Sequence, residues 1–294
     1  MRILEHVVTD SEEGSTVGQI LKNRMQLARS LVSRLKFSSG ILLDGQEVHT
    51  DRRTRTGERV TVLLRDEKPV WHGLKAFDGP FGILYEDEDI LAADKPAPLA
   101  SIASARQGGD SLEGRVFYHY GEDPCFVYRP VNRLDKGTSG VMLIARNAFC
   151  QAALQKTLHT DDFVRTYLAV TEGIPAEKEG LISRPILRLP GGVRRAVSDL
   201  GQRAETFYRV LETGRGRALV FLRLYTGRTH QIRVHLSSIG CPVAGDYMYG
   251  KGLDELPGRF ALHSHTAEFL HPATGERMKL TAPFPNELRA LLEK

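Results

Sequence analysis

The apolar positions of this chain change period several times, and each change marks an element. Val17, Ile20 and Leu21 follow Ser15-Thr16, a pair able to cap a first short helix. Ala28, Leu31, Val32 and Leu35 obey the i, i+3, i+4, i+7 rule and predict a second helix over about 27–36. The period then drops towards two. Ile41-Leu42-Leu43 and Gln46-Glu47-Val48 flank Asp44-Gly45, a hairpin signal, and a further strand is expected over Arg59–Leu64.

Beyond a break, short runs at 81–85 and 90–93 predict two strands around an acidic turn, followed by a helix at 111–120 and a strand at 126–128. Val141 to Ala145 (VMLIA) is a continuous apolar run bounded by Gly140 and Arg146, as suits a strand covered on both faces. A helix at 147–159 and a strand at 165–170 come next, with Tyr167 on the opposite face from Leu168. Residues 174–203 lack periodicity, carry five arginines, three prolines and Gly191-Gly192, and read as a long irregular segment. Strands are expected at 204–212 and 217–225. A helix follows at 230–239, with Thr229 as cap and Gly240 and Pro242 as stop. Its buried stripe is Ile232, Leu236 and Ile239. Strands at 260–263 and 278–281 and a terminal helix from Pro285 close the chain.

Composition adds little until its distribution is considered. A chain of 294 residues, 41% apolar and 26% charged, suits one large domain or two smaller ones. The net charge is only +4, but residues 16–65 hold ten Lys/Arg against four acids, a local +6 that leaves −2 for the rest. A segment that basic points to a polyanionic partner or to a solvated basic face. Residues 66–80, with Pro69, Gly73, Gly79 and Pro80, are poor in periodic apolar positions. The expected division is therefore residues 1–70, a linker at 71–80 and a second domain at 81–294. Trp71 in that linker would pin it to a domain or stack on a base. The three cysteines (125, 150, 241) show no CxxC spacing and fit free thiols in a reducing compartment. The start MRILEHVVTD has no signal-peptide pattern, and no apolar run reaches transmembrane length. A cytoplasmic protein is expected.

The candidate chemistry centres on RPVNRLDKGTSGVMLIAR, residues 129–146. Asp135 lies in a glycine-rich turn between Arg133 and Lys136, feeding the apolar strand. A carboxylate there can be a nucleophile, a base or a structural partner. Lys95, at the end of the 90–93 strand, either faces a cleft or is merely exposed. Arg228 and Arg233 sit on or near the 230–239 helix and could point at a neighbouring site. His230 and His235 are five apart, off the i, i+4 spacing of a helical metal pair; with His263 they fit core or surface positions better.

Two stretches carry a resemblance to known families. The helix pair, ILLDGQEV and GERVTVLL together resemble an S4-type RNA-binding domain over about fifty residues. That resemblance implies RNA contact through Arg24, Arg29, Arg34, Lys36, Arg52, Arg53 and Arg55. RPVNRLDKGTSGVMLIAR and TGRTHQIRVHLSSIGCPVAGDYMYG, with DKPAPL, RTYLAV and LHSHTAEFLHPATG in the same order, are similar to RluA-type pseudouridine synthases from about 81 to 283. The fold this implies is α+β: a small S4-like α/β domain followed by a mainly antiparallel, mixed-sheet catalytic domain. The implied activity is isomerisation of uridine to pseudouridine in structured RNA, ribosomal RNA of the large subunit first and tRNA second. In that pattern Asp135 matches the essential aspartate that attacks the target nucleotide as the glycosidic bond breaks. Whether a covalent or a glycal intermediate follows stays open. Arg233 matches its basic partner, Tyr167 the tyrosine that stacks on the base, and Arg133 the arginine that helps extrude the nucleotide. Neither metal nor redox cofactor is expected for a redox-neutral isomerisation, and a monomer is expected. One departure is Asn132, where the family usually has histidine; it could mark a subgroup with a different RNA site. Two rival functions are an inactive RNA-binding protein that keeps the fold, and a glycosidase, which would need a second carboxylate beside Asp135.

Overall fold

The computed structural model describes residues 2–27, 29–64, 75–103, 109–121 and 126–293. The linker expected at 71–80, including Trp71, therefore lies partly outside the described residues, as does Cys125.

The amino-terminal part is a four-stranded antiparallel sheet backed by two helices. Its strands are β1 (Arg2–Val7), β2 (Ile41–Leu43), β3 (Gln46–Glu47) and β4 (Arg59–Leu64), in the order β1-β4-β2-β3. Asp44 (φ 48) and Gly45 (φ 81) make the predicted hairpin turn, both in the left-handed region that Asp and Gly tolerate. Helix α1 (Val17–Asn23) starts with a capping box: Thr16 Oγ1 accepts the Gln19 N–H at 3.2 Å, and Gln19 Oε1 accepts that of Thr16 at 2.7 Å. Helix α2 (Arg29–Phe37) turns Leu31 and Leu35 onto the sheet.

The larger part is one ten-stranded sheet. Its strands are β5 (Gly82–Glu86), β6 (Ile90–Lys95), β7 (Arg129–Pro130), β8 (Ser139–Ala145), β9 (Val164–Glu172) and β10 (Glu179–Ser183). After a separate small hairpin of β11 (Ile186–Arg188) and β12 (Arg195–Val197), the sheet continues with β13 (Glu205–Gly214), β14 (Arg217–Leu224), β15 (Leu262–Leu270) and β16 (Arg277–Thr281). The order is β10-β13-β14-β9-β15-β8-β6-β5, with β16 on β15 and β7 on β8. All pairs are antiparallel except β15 with β8, which run parallel where His263 meets Ser139. The fold is thus α+β with a mainly antiparallel, mixed sheet, as the sequence implied.

Strand β8 is buried at every residue because its two faces belong to different cores. Met142 and Ile144 enter one core with α3 (Leu112–His119), α5 (Gln231–Ser238) and α6 (Asn286–Arg289). Val141, Leu143 and Ala145 enter the other, with α4 (Ala148–Thr157). That second core runs on without a break into the amino-terminal part, through residues such as Leu21, Leu31 and Val62. Polar anchors reinforce the junction. Arg2 pairs with Glu88 at 2.8 Å and with the buried Asp89 at 3.0 Å, and Asp89 also accepts from Asn147, the N-cap of α4, at 2.7 Å. Asp87, Asp89 and His271 would offer metal-type ligands here. The two carboxylates are already engaged, by Tyr85 Oη and the amides of Asp89 and Ile90 on Asp87 and by Arg2 and Asn147 on Asp89, and His271 Nε2 lies 2.9 Å from Asp87 Oδ2.

Three local expectations are corrected. Residues 126–128 form no strand; pairing begins at β7. The 174–203 segment is not irregular throughout but holds β10, β11 and β12. Strand β10 buries little, so it shows no alternation, and it is ordered by pairing with β13 about thirty residues away. Thr229 does not cap α5. The N-cap is His230 in a left-handed conformation, and the turn is closed by Gln231, whose Oε1 accepts from Arg228 N at 2.9 Å and Thr226 Oγ1 at 2.8 Å.

Candidate active site

Asp135 stands at the mouth of a cavity of about 750 Å³ on the large sheet, lined also by Arg133, Tyr167, His230 and Arg233. Its turn is pinned from several sides. Ser101 Oγ donates to Leu134 O at 2.6 Å and accepts Leu134 N at 3.1 Å. Leu99 N donates to Lys136 O at 2.9 Å, and Thr138 N to Asp135 O at 3.0 Å. Glycine is required twice. At Gly137 an added Cβ would lie 2.6 Å from the Phe260 ring, and at Gly140 (φ 104) it would overlap the Ser264 carbonyl on β15.

Lys95 is a further support, and the alternatives of cleft or exposed surface are both corrected. It is fully buried, and its ammonium donates to Leu99 O at 2.7 Å and Pro96 O at 3.1 Å. Burial pulls it down to about 7, opposed by the charge of Asp135. Its stem fills the core while its tip ties the loop beside Asp135.

Arg233 is the centre of the site. It is 3% exposed, on a helix whose residues 231–236 are all buried. It spans two carboxylates. Nε and Nη2 grip Asp246 at 2.6 and 2.9 Å, and Nη1 donates to Asp135 Oδ2 at 2.8 Å. Its guanidinium lies over the rings of Phe260 (4.2 Å) and Tyr249 (5.0 Å). Burial disfavours its charge, but the bond and charge of Asp246, then those of Asp135, outweigh burial and hold it above its ordinary value. Asp246 is itself wholly buried, accepts the amides of Met248 and Tyr249, and lies behind Arg233 away from the cavity lining. A bidentate grip from behind fixes the guanidinium plane, so that an Nη1 N–H is held towards Asp135.

Tyr167 on β9 is 5% exposed, and Arg133 is exposed at the rim. Asp135, Arg233, Tyr167 and Arg133, about a hundred residues apart in sequence at the extremes, therefore share one cavity. Asn132 does not face it as a free polar group. It is buried, and its Oδ1 accepts the Leu143 N–H at 2.9 Å, extending the pairing of the Asp135 loop with β8. Asn132 thus has a scaffold role through Oδ1 while it also lines the Asp135 cavity.

Sequence reasoning passed over four residues here. Asp246 and Tyr249 lay unremarked within GDYMYG, and Gln231 within RTHQIR. His230, expected in the core or on the surface, has its Nε2 3.8 Å from Asp135 Oδ2 and its Nδ1 2.8 Å from Tyr249 Oη. His235 and His263 are buried, as a core reading expects: His235 bonds Thr206 Oγ1 and Arg184 O, and His263 bonds Ser139 Oγ.

The basic residues named for RNA lie elsewhere, and they divide. Arg24 pairs with Glu12 at 2.5 Å, Arg52 with Glu58 at 3.9 Å, and Arg53 donates to Gly14 O at 2.8 Å. Those three are exposed but already have partners within the small sheet's loops. Arg29, Arg34, Lys36 and Arg55 are exposed, and among the described residues Arg29, Lys36 and Arg55 make no ion pair. Arg29 and Lys22 line a second cavity of about 760 Å³ that reaches Lys156 of α4, while Gln151 and Gln155 of the same helix line the Asp135 cavity.

With this geometry in view, the likeness to known proteins is specific. The profile of the RNA pseudouridylate synthase family matches residues 89–238. The chain is 37% identical to ribosomal large subunit pseudouridine synthase D of Xanthomonas campestris, over 97% of this chain and 90% of that one. It is 36% identical to the uncharacterized RNA pseudouridine synthase YjbO of Bacillus subtilis, over 91% of this chain and 95% of that one. The solved structure of human RNA pseudouridylate synthase domain containing 1 superposes with a TM-score of 0.60 at 27% identity, covering 72% of this chain and 87% of that one.

Proposed function

The chain belongs to the RNA pseudouridylate synthase family, and from that premise we propose that it isomerises uridines of large-subunit ribosomal RNA with Asp135 as the reacting carboxylate. The observation that carries the reading is the buried Asp246–Arg233 pair, which offers a single N–H to Asp135 at the mouth of a nucleotide-sized cavity.

In the proposed reaction, Asp135 acts on the ribose of an extruded uridine as the N1–C1′ bond breaks, its electron pair leaving with the uracil. The base turns, the C5–C1′ bond forms, C5 loses a proton and N1 gains one. Atoms and electrons balance with no oxidant or reductant. The target sugar is inaccessible in a stacked helix, so the nucleotide must flip at a cost of a few kcal/mol. In this reading Tyr167 is the aromatic wall for the flipped base, and Arg133, exposed at the cavity, fills the space the base leaves. Asp246 faces away from the cavity, so among the described residues Asp135 has no second carboxylate of the kind a glycosidase needs.

The amino-terminal part, as an S4-like RNA-binding domain over 1–70 joined by a linker at 71–80 to a catalytic domain at 81–294, would hold the RNA by its phosphates. Arg29, Arg34, Lys36 and Arg55 are the exposed cations that suit this task; Arg24, Arg52 and Arg53 serve the fold first. Several relatives carry the name of ribosomal large subunit pseudouridine synthase D, which favours ribosomal RNA.

The test is a pseudouridine map of total RNA from cells with and without the protein. Loss of signal at one or a few large-subunit positions is expected. Loss only in tRNA would sink the ribosomal assignment, and an unchanged map would sink the activity.

A further inference from the structure

His230 is the residue of the site whose backbone is strained. It sits at φ 60, ψ 18, a conformation that costs a non-glycine residue about 1–3 kcal/mol unless its surroundings enforce it. They do. The next residue, Gln231, is buried and bonds four groups, with its Nε2 donating to Glu205 O at 2.9 Å and Thr206 Oγ1 at 3.0 Å as well as closing the turn.

The ring's proton is placed by its neighbours. His230 Nε2 faces the Asp135 carboxylate, which favours the tautomer with the proton on Nε2, and Tyr249 Oη, which accepts the Arg195 N–H at 2.9 Å and lies 2.8 Å from Nδ1, can then donate its own proton to Nδ1. In that tautomer Nδ1 is the acceptor of a neutral imidazole, and Nε2 carries the proton. Nε2 faces Asp135 Oδ2 at 3.8 Å, the same oxygen that accepts from Arg233 Nη1 at 2.8 Å. Among the described residues nothing donates to Oδ1. The groups facing the ring are Asp135, Arg233, Arg195, Asp246 and the Tyr249 phenol. Burial lowers His230 first, Asp135 opposes it, and Arg233 and Arg195 lower it further, for a net downward shift. A protonated ring would place a second donor at Nδ1, against the Tyr249 proton.

We propose that His230 is a positioning residue for Asp135: its neutral Nε2–H and Arg233 together occupy Oδ2, so that Oδ1 is the oxygen presented to the ribose. This rests on the reading of Asp135 as the reacting carboxylate. At 3.8 Å the Nε2–H stands beyond hydrogen-bond distance, and it closes on Oδ2 as the nucleotide enters and water leaves.

The experiment measures single-turnover and steady-state rates on large-subunit ribosomal RNA from cells lacking the protein, for the wild type, His230→Asn, Tyr249→Phe and Asp135→Asn. Asn tolerates the left-handed backbone and does not titrate in the range used. His230→Asn is expected to lower kcat about 10²-fold, the scale of a misplaced reacting group, with KM within twofold and the melting temperature unchanged. The wild-type rate should fall at a pH below the ordinary histidine range. That limb should move up in Tyr249→Phe, which lacks the proton donor favouring the neutral ring, and vanish in His230→Asn. A wild-type kcat in His230→Asn, or a loss confined to KM or thermal stability, overturns the inference while the Asp135 reading stands. Activity in Asp135→Asn overturns that reading and this inference with it.

Discussion

The two positively charged regions of this protein use the same side chains to opposite ends. At the Asp135 cavity, Arg233 is 3% exposed, gripped by Asp246 and in contact with two aromatic rings. On the amino-terminal helices, Arg29 and Lys36 stand in solvent with no ion pair among the described residues. A buried charge is expensive to desolvate and is retained only when hydrogen-bonded in a fixed geometry. An exposed cation costs little, and its attraction to a polyanion is a sum over many phosphates, weakened by salt. The contrast suits a division of labour in which one region orients a single oxygen and the other holds a long, negatively charged substrate in whatever register it arrives.

That contrast makes graded predictions. The largest effect is expected at Asp135. Asp135→Asn should reduce pseudouridine formation by at least about 10⁴-fold while RNA affinity, measured by filter binding, stays within a few-fold. Loss of binding in parallel would mean that the site anchors RNA rather than acting on it.

Next in size is Asp246→Ala, which leaves the buried Arg233 guanidinium without its bidentate partner. Unfolding should become easier by about 3–5 kcal/mol, read by chemical denaturation, with activity abolished as Arg233 reorients. A neutral outcome would show that Asp135 alone suffices to hold Arg233.

A smaller, pH-dependent effect is expected at Lys95. Its folded value of about 7 lies below the ordinary 10.5. Below 7 both folded and unfolded states are protonated. Between about 7 and 10.5 the unfolded chain keeps a proton that the native state sheds, so stability should rise with pH through that window. Lys95→Met should flatten the rise, on the order of a few kcal/mol. A persistent rise in that variant would assign it to another group.

The smallest change is expected from the exposed cations. Arg29→Ala with Lys36→Ala should leave kcat intact and make log Kd less steep against log salt, by about 1 for each phosphate that no longer meets a cation. An unchanged slope would remove these residues from the RNA interface and leave the amino-terminal charge as a solvated face.

The hydrophobic pattern announced most elements near their observed bounds, because helix and hairpin signals are local: the Thr16 cap, the Asp44-Gly45 turn and the VMLIA strand each need only a few neighbours. It missed β10 to β12, which bury little and owe their order largely to pairing partners. It also misplaced the start of α5, where Gln231 rather than Thr229 satisfies the turn.

For the site, the motifs named Asp135, Arg233, Tyr167 and Arg133, and the fold brings all four to one cavity. By itself the chain determined which residues carry reactive and basic groups, where the local elements form, and which family the motifs resemble. Only the tertiary structure decided that Asp246 stands behind Arg233, that Lys95 is buried, that His230 faces Asp135, and that Asn132 and Arg53 serve the scaffold. The physical reason is one of range. Turns, caps and periodicity are settled within a few residues, whereas the burial and pairing of a charge depend on partners that folding brings from distant strands.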